Sequence, residues 1–173
     1  MSSPSNIGAI ETCPSCHGTG WTRVEKGETH GVVRCDCLKT RRAQRLIPAA
    51  RIPARYAQCE LENFHLLPGL TNQSHERAKA AAEKFVQEYP TSMPFGLLFM
   101  GPQGVGKTHL AVGIIRELMK QKSVDCLFRT FPELLKEIQA SWSPVSQSSE
   151  YSLLSAVLDA EVLVLDELGS QNP

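Results

Sequence analysis

Eight residues, Gly101-Pro102-Gln103-Gly104-Val105-Gly106-Lys107-Thr108, constrain the fold more than any other stretch of the chain. They match the pattern G-x-x-x-x-G-K-[ST] and stand between a short apolar run, Phe95 to Met100, and a helical periodicity that begins near Lys107. Glycines let a backbone curl until successive N–H groups face inward, and the start of the next helix adds partial positive charge. Such a loop cradles phosphate. In this setting Lys107 reaches the β- and γ-phosphates of ATP, and the Thr108 hydroxyl is a ligand for Mg2+. The expected nucleotide-binding set is Gly101, Pro102, Gln103, Gly104, Val105, Gly106, Lys107, Thr108 and His109, with Lys107 also acting on the transferred phosphate.

The flanking elements read as α/β. Phe95 to Met100 (FGLLFM) has the uniform apolarity of a strand buried on both faces. Leu110, Ala111, Ile114, Ile115 and Leu118 form the buried face of a helix from about Lys107 to Lys120, and Val124 to Phe128 gives a second strand. A strand, a helix and a strand in this order predict a parallel pair. Before the loop, Ser74 is a plausible N-cap for a helix that buries Ala78, Ala81, Ala82, Phe85, Val86 and Tyr89. After it, Thr130 with Glu133 reads as a capping box for a helix burying Phe131, Leu134, Leu135 and Ile138, and a shorter helix follows around Tyr151 to Leu158.

Val162 to Leu165 (VLVL) is then a third buried strand, delivering Asp166 and Glu167 at its carboxyl end. An acidic pair after an apolar strand is commonly a solvated strand end. About sixty residues after a phosphate loop, it reads instead as Asp166 beside Mg2+ and Glu167 as the base that polarises the attacking water. Lys107, Asp166 and Glu167 are thus the expected catalytic residues, with Thr108 and Asp166 holding magnesium.

Four of six cysteines crowd the first forty residues. Cys13-Pro-Ser-Cys16 is a C-x2-C knuckle, a spacing that lets two thiolates converge on one tetrahedral ion, and Cys35-Asp-Cys37 supplies a second pair. The one-residue gap in the second pair is tighter than usual, and His17 or His30 can replace one thiolate. No sustained period is seen over 1–38, so this reads as a loop-built zinc module that depends on its metal. Residues 39–58 form a basic, partly helical linker, and 59–173 the ATPase core. Cys59 and Cys126 lack partners at useful spacing and are expected to be buried, inert thiols.

Eighteen Lys and Arg balance eighteen Asp and Glu, so no overall field draws the molecule to nucleic acid or membrane. The apolar runs are too short to span a bilayer and the N-terminus has no leader pattern; a cytoplasmic protein is expected.

With the motifs placed, the chain resembles the DnaC-like and IstB-like ATPases of the AAA+ class. CPSCHGTGW with VVRCDC resembles their zinc segment, ARIPARY and LENF their linker, and GPQGVGKTHLA and LVLDELGSQ their two ATP motifs. CPSCHGTG is also similar to a single zinc repeat of the DnaJ co-chaperones, which implies shared knuckle geometry. The first resemblance implies an AAA+ P-loop fold with a parallel sheet and flanking helices, C-terminally incomplete here. A further strand between the P-loop strand and the Asp166 strand, and the elements carrying the sensors and arginine finger, would follow in a longer protein.

By the same resemblance the function is helicase loading: ATP binding and hydrolysis deliver a replicative DNA helicase to single-stranded DNA, with self-association through the AAA+ core. Phe64 to Asn72 resembles the segment lining the adenine pocket, and the helices of Thr130 to Leu158 the part that meets DNA, although Lys136 is the only base among them. The basic stretch Arg34 to Arg55 either touches DNA or solvates the linker. Two alternatives remain: an IstB-like transposition ATPase that binds duplex DNA and a transposase, and a non-catalytic zinc-bearing interaction fragment.

Overall fold

The computed structural model describes residues 13–26, 29–65, 73–90, 96–142 and 150–169. The chain divides into two compact units, residues 1–41 and 42–173.

The first unit is built on an antiparallel hairpin, β1 (Trp21–Lys26) and β2 (Thr29–Arg34), with Trp21 opposite Arg34 and Val24 opposite Gly31. This corrects the expectation of a purely loop-built module. Val24, Val32 and Val33 are all exposed, so neither face of the ribbon needs the apolar alternation by which a strand is recognised. The turn before it runs through left-handed His17, Gly18 and Gly20, and closes when Cys35 N–H donates to the Gly20 carbonyl at 2.8 Å. Helix α1 (Cys37–Ala49) follows.

The second unit is an α/β arrangement centred on helix α3 (Lys107–Glu117). Leu110, Val112, Ile114 and Ile115 are buried, and the helix widens into a π-turn, Leu118–Lys122, which buries Leu118 and Met119 completely. Left-handed Ser123 ends it. Helix α2 (Gln73–Glu88) contributes Ala82 and Val86 to the same core. Fully burying side chains of valine size or larger stabilises by about 1.5–3 kcal/mol each.

Strands β3 (Cys126–Thr130) and β4 (Val162–Asp166) pair in parallel, Cys126 opposite Val162 and Thr130 opposite Asp166. Every residue of β3 is buried. Cys126 and Phe128 join the core with α3, while Arg129, on the alternate face, meets Glu137 of helix α4 (Phe131–Ser141). Helix α5 (Glu150–Asp159) packs on α4. At α4 the Thr130 hydroxyl donates to the Glu133 carboxylate at 2.7 Å and caps no helix N–H. Of the expected buried face of α4, Leu134 is buried and Leu135 exposed. The other edge of β3 is taken by the chain after α1, through Phe128 N–H to the Ala50 carbonyl at 2.8 Å.

Two strand expectations need correction. Residues 96–100 form no strand, and Leu98 and Met100 are 72% and 82% exposed. β4 is half-buried rather than buried, with Leu163 exposed. A buried parallel strand needs a backbone neighbour on each side. Between these two segments lies a cavity of about 950 Å3 lined from both, and among the described residues no strand fills it. No helix among the described residues is long and apolar enough to cross a membrane.

Candidate functional site

The phosphate loop departs from ordinary backbone where its glycines stand. Gly101, Gly104 and Gly106 have φ of 150°, 80° and 92°, values that L side chains rarely adopt, and Gly106 is the N-cap of α3. Pro102 and Gln103 are exposed, and Val105 is half-buried. The Lys107 ammonium folds over the loop, donating to the carbonyls of Gly101 (2.9 Å) and Pro102 (2.7 Å).

The loop meets the end of β4. Thr108 Oγ1 donates to Asp166 Oδ2 at 2.8 Å, joining residues 58 positions apart. The parallel register with β3 carries Asp166 to the carboxyl edge of the sheet, where the helix carrying the loop begins. Glu167, next in the chain, takes φ of 59°, and its Oε1 lies 3.9 Å from Arg55 Nη2. Lys107, Thr108, Asp166 and Glu167 all line the 950 Å3 cavity. A hydroxyl and a carboxylate in contact, beside an ammonium and a second carboxylate, form an oxygen-rich set suited to a hard divalent cation next to phosphate.

His109 faces a different partner. Its Nε2 lies 2.9 Å from the Glu60 carbonyl and 2.8 Å from Asn63 Oδ1, both acceptors, so that nitrogen carries the proton. Asn63 in turn accepts from Glu60 N–H and donates to the Gln58 carbonyl. The Glu60 carboxylate binds Lys120 (2.7 Å) and Arg116 (2.9 Å), which hold its pKa below the usual carboxylate value. Gly113 makes this seat possible, since a Cβ there would come 3.0 Å from the backbone nitrogen of Leu61. Phe64 is placed against Gly106, while 66–72 of the expected adenine segment lie outside the described residues.

In the first unit the Sγ atoms of Cys13, Cys16, Cys35 and Cys37 lie within 4.8 Å of one another. Cys13 and Cys35 are 3.7 Å apart, Cys16 and Cys37 3.4 Å. Four thiolates around one zinc ion at about 2.3 Å stand roughly 3.8 Å apart, so the cluster fits a tetrahedral site. His17 and His30 are not in it. The backbone N–H groups of Cys16 and Ser15 pull the Cys13 thiol down to about 6. The neighbouring Cys16 sulfur and burial push Cys37 up to about 12. Thiols this close resist joint ionisation without a cation to share. Of the other two cysteines, Cys126 is buried, its thiol pushed up to about 12 by burial, and Cys59 is half-buried.

Sequence spacing carried no signal for Glu60 or Gly113, whose roles rest on tertiary contacts, while Asn63 and Arg55 entered only within the LENF and ARIPARY segments and, for Arg55, a basic stretch. A model of the IstB-like ATP binding protein family matches residues 35–172. Over 134 residues the chain is 28% identical to the replicative helicase loader DnaC of Buchnera aphidicola (strain Bp), covering 77% of this chain and 52% of that protein. Against DnaC of Escherichia coli K12 it is 28% identical over 158 residues, 88% of this chain and 61% of the relative. YqaM of Bacillus subtilis, an uncharacterized protein, is 26% identical over 137 residues, 78% and 42% of the two chains. The chain spans about half the length of these curated relatives. With the family's model covering the phosphate loop, both strands of the parallel pair and the acidic strand end, the chain belongs to the IstB-like ATP-binding proteins.

Proposed function

We propose that this protein binds Mg–ATP in the cavity between the phosphate loop and the end of β4, and uses it to load a replicative helicase onto single-stranded DNA. The observation that carries the nucleotide site is the Thr108–Asp166 contact at 2.8 Å, which gives the loop the acid that a phosphate-bound metal requires. The loop N–H groups of Gly101 to Thr108 receive the phosphates, and Lys107 exchanges its carbonyl partners for phosphate oxygens. Thr108 and Asp166 would hold Mg2+, which supplies charge neutralisation at the phosphates. Glu167 accepts the proton of the attacking water. His109 supports the site from behind by fastening the 58–64 turn to α3.

The helicase partner is carried over from the DnaC relatives, which are named replicative helicase loaders; single-stranded DNA and a cytoplasmic location are expectations from the sequence and the family resemblance. Self-association through the ATPase core follows from AAA+ resemblance. In this reading 1–38 is a zinc module held by Cys13, Cys16, Cys35 and Cys37, 39–58 a linker, and 59–173 the ATPase core. A second reading, which rests on the resemblance to IstB-like ATPases and agrees with the match to the IstB-like ATP binding protein family, is a transposition ATPase that meets duplex DNA and a transposase. Two measurements test the proposal. Lys107→Ala abolishes ATP binding if the loop holds the phosphates. The protein, used as bait with ATP, retains a purified replicative helicase in the first reading and a purified transposase in the second; retention of neither removes the loader assignment.

A further inference from the structure

The register of the β1–β2 hairpin brings together an aromatic ring and two cations that lie far apart in sequence. Trp21 stands opposite Arg34, and Arg23 opposite Val32. Directly opposed residues of an antiparallel pair, and residues two apart along each strand, share a face, so these four make one patch. Trp21 and Val32 take one diagonal and the two guanidiniums the other, each diagonal about 7–8 Å long. All four are exposed, Trp21 by 50% and Val32 by 63%. The Arg34 guanidinium lies 5.9 Å from the centroid of the Trp21 ring, at the outer edge of cation–π contact, so little energy holds it there. Neither Arg23 nor Arg34 forms an ion pair among the described residues. Glu25, next along the same face, stands opposite His30.

The patch is fixed at its root. Trp21 follows Gly20, whose carbonyl accepts from the N–H of Cys35, the residue after Arg34. The Thr19 hydroxyl accepts from Trp21 N–H at 3.4 Å and donates to the Cys16 carbonyl at 2.7 Å. A backbone tied at both strands presents the ring to a ligand at little cost in ordering.

We propose that this face of the hairpin binds single-stranded DNA, one base stacking on Trp21 while Arg34 and Arg23 turn to the flanking phosphates. The chemistry selects among occupants. An acidic peptide matches the guanidiniums and leaves the indole ring unused. An apolar segment matches Trp21 and Val32 but buries two unpaired cations. A duplex keeps its bases stacked on one another, away from the ring. A single strand offers π faces and anions in turn along one chain, and the planar fork of arginine suits phosphate oxygens. The choice of DNA as the polymer rests on the loader reading. The site itself goes beyond that reading, for it uses neither the ATP cavity nor the helices after Thr130.

The test follows a labelled oligothymidylate of roughly 16 nucleotides by anisotropy, with the full chain and no nucleotide, and measures ATP affinity in parallel. W21A is expected to weaken oligothymidylate binding roughly 5- to 100-fold, and W21F, which keeps a stacking ring, by much less. R34A and R23A, which leave Trp21 in place, each lower the slope of log K against log salt by about 0.7, one single-strand phosphate contact, whereas R34K keeps the slope. ATP affinity is unchanged in all of them. The chain's two tryptophans are Trp21 and Trp142, so in W142F the Trp21 emission reports stacking directly and is quenched at saturation. Binding that leaves this emission unquenched and is indifferent to R34A overturns the proposal, as does equal affinity for the matching duplex. A matching oligouridylate bound more tightly overturns the choice of DNA. A chain that binds ATP but no oligothymidylate overturns this proposal and leaves the nucleotide site standing; one that quenches Trp21 but binds no ATP overturns the nucleotide site alone.

Discussion

Replacing Gly106 by alanine tests the local geometry of the loop at its tightest point. A Cβ at this position would lie 2.5 Å from Phe64 Cε2 and 3.3 Å from Cζ, and Gly106 has φ of 92°. The left-handed backbone costs an alanine about 1–2 kcal/mol. Relieving a ring contact that short costs a further 1–3 kcal/mol, roughly, as in other overpacked cores. Narrowing the unfolded ensemble returns about 0.4–1 kcal/mol. The net loss is about 1–4.5 kcal/mol. Phe64 cannot swing aside, because it is 7% exposed, its ring stands edge-on to His109 at 5.3 Å, and its carbonyl accepts from Lys79 Nζ. Urea unfolding followed by far-UV circular dichroism reads this as a midpoint drop of about 0.5–2 M for a slope near 2 kcal/mol/M. Phe64→Leu in the parent leaves a gap; in Gly106→Ala it relieves the overlap, so the cycle should couple by about 1–3 kcal/mol. Gly106→Ala within about 0.5 kcal/mol of the parent, or strictly additive energies, would refute the reasoning.

Glu60→Gln removes the partner of two cations while keeping the side chain's shape, and should cost about 1.5–3 kcal/mol at neutral pH by chemical denaturation. Because Glu60 has a folded pKa below its ordinary 4.5, its pairing contributes fully above that value and is lost as pH falls through the folded pKa, so parent and variant converge in acid. Glu137→Gln leaves the Arg129 guanidinium, 8% exposed, without its counter-charge at 2.5 Å, and should destabilise by about 3–5 kcal/mol; Arg129→Met with Glu137→Leu should restore most of it. Zinc analysis should find one ion per chain, and Cys16→Ser should lose it and the hairpin's order while ATP affinity is retained; metal-free protein with an unaltered hairpin by hydrogen exchange would contradict this.

What could be read from the sequence divides along locality. The phosphate loop is a contiguous string whose glycines are needed by their own backbone angles, so it was legible residue by residue. Asp166 was legible because an apolar run that ends in acids has one place to put them, the carboxyl edge of a sheet. Strand state at 96–100 was not, since apolarity says that a segment wants burial and only a neighbouring backbone makes it a strand. The hairpin of Trp21–Lys26 and Thr29–Arg34 was missed for the opposite reason: a ribbon wetted on both faces carries no alternation. His109 was grouped with the nucleotide loop by adjacency, whereas its ring bonds to the 60–63 turn, a contact set by the distant Glu60 and Asn63. Arg55 had no signal beyond its charge and its place in the ARIPARY linker segment. Its place beside Glu167 depends on the stretch after α1 crossing the edge of β3, which no spacing encodes.

The central claim is that the phosphate loop and the end of β4 form one Mg–nucleotide site. Titration calorimetry of ATP with and without Mg2+ tests it most directly, comparing the parent with Asp166→Asn and Lys107→Ala. The account predicts that Mg2+ tightens binding to the parent at least tenfold, about 1.4 kcal/mol. It predicts that Asp166→Asn keeps the metal-free affinity but loses the tightening, and that Lys107→Ala loses both. Equal Mg2+ dependence in the parent and Asp166→Asn would contradict it, for the contact between Thr108 and Asp166 would then be a hydrogen bond of the fold and not the two halves of a metal site.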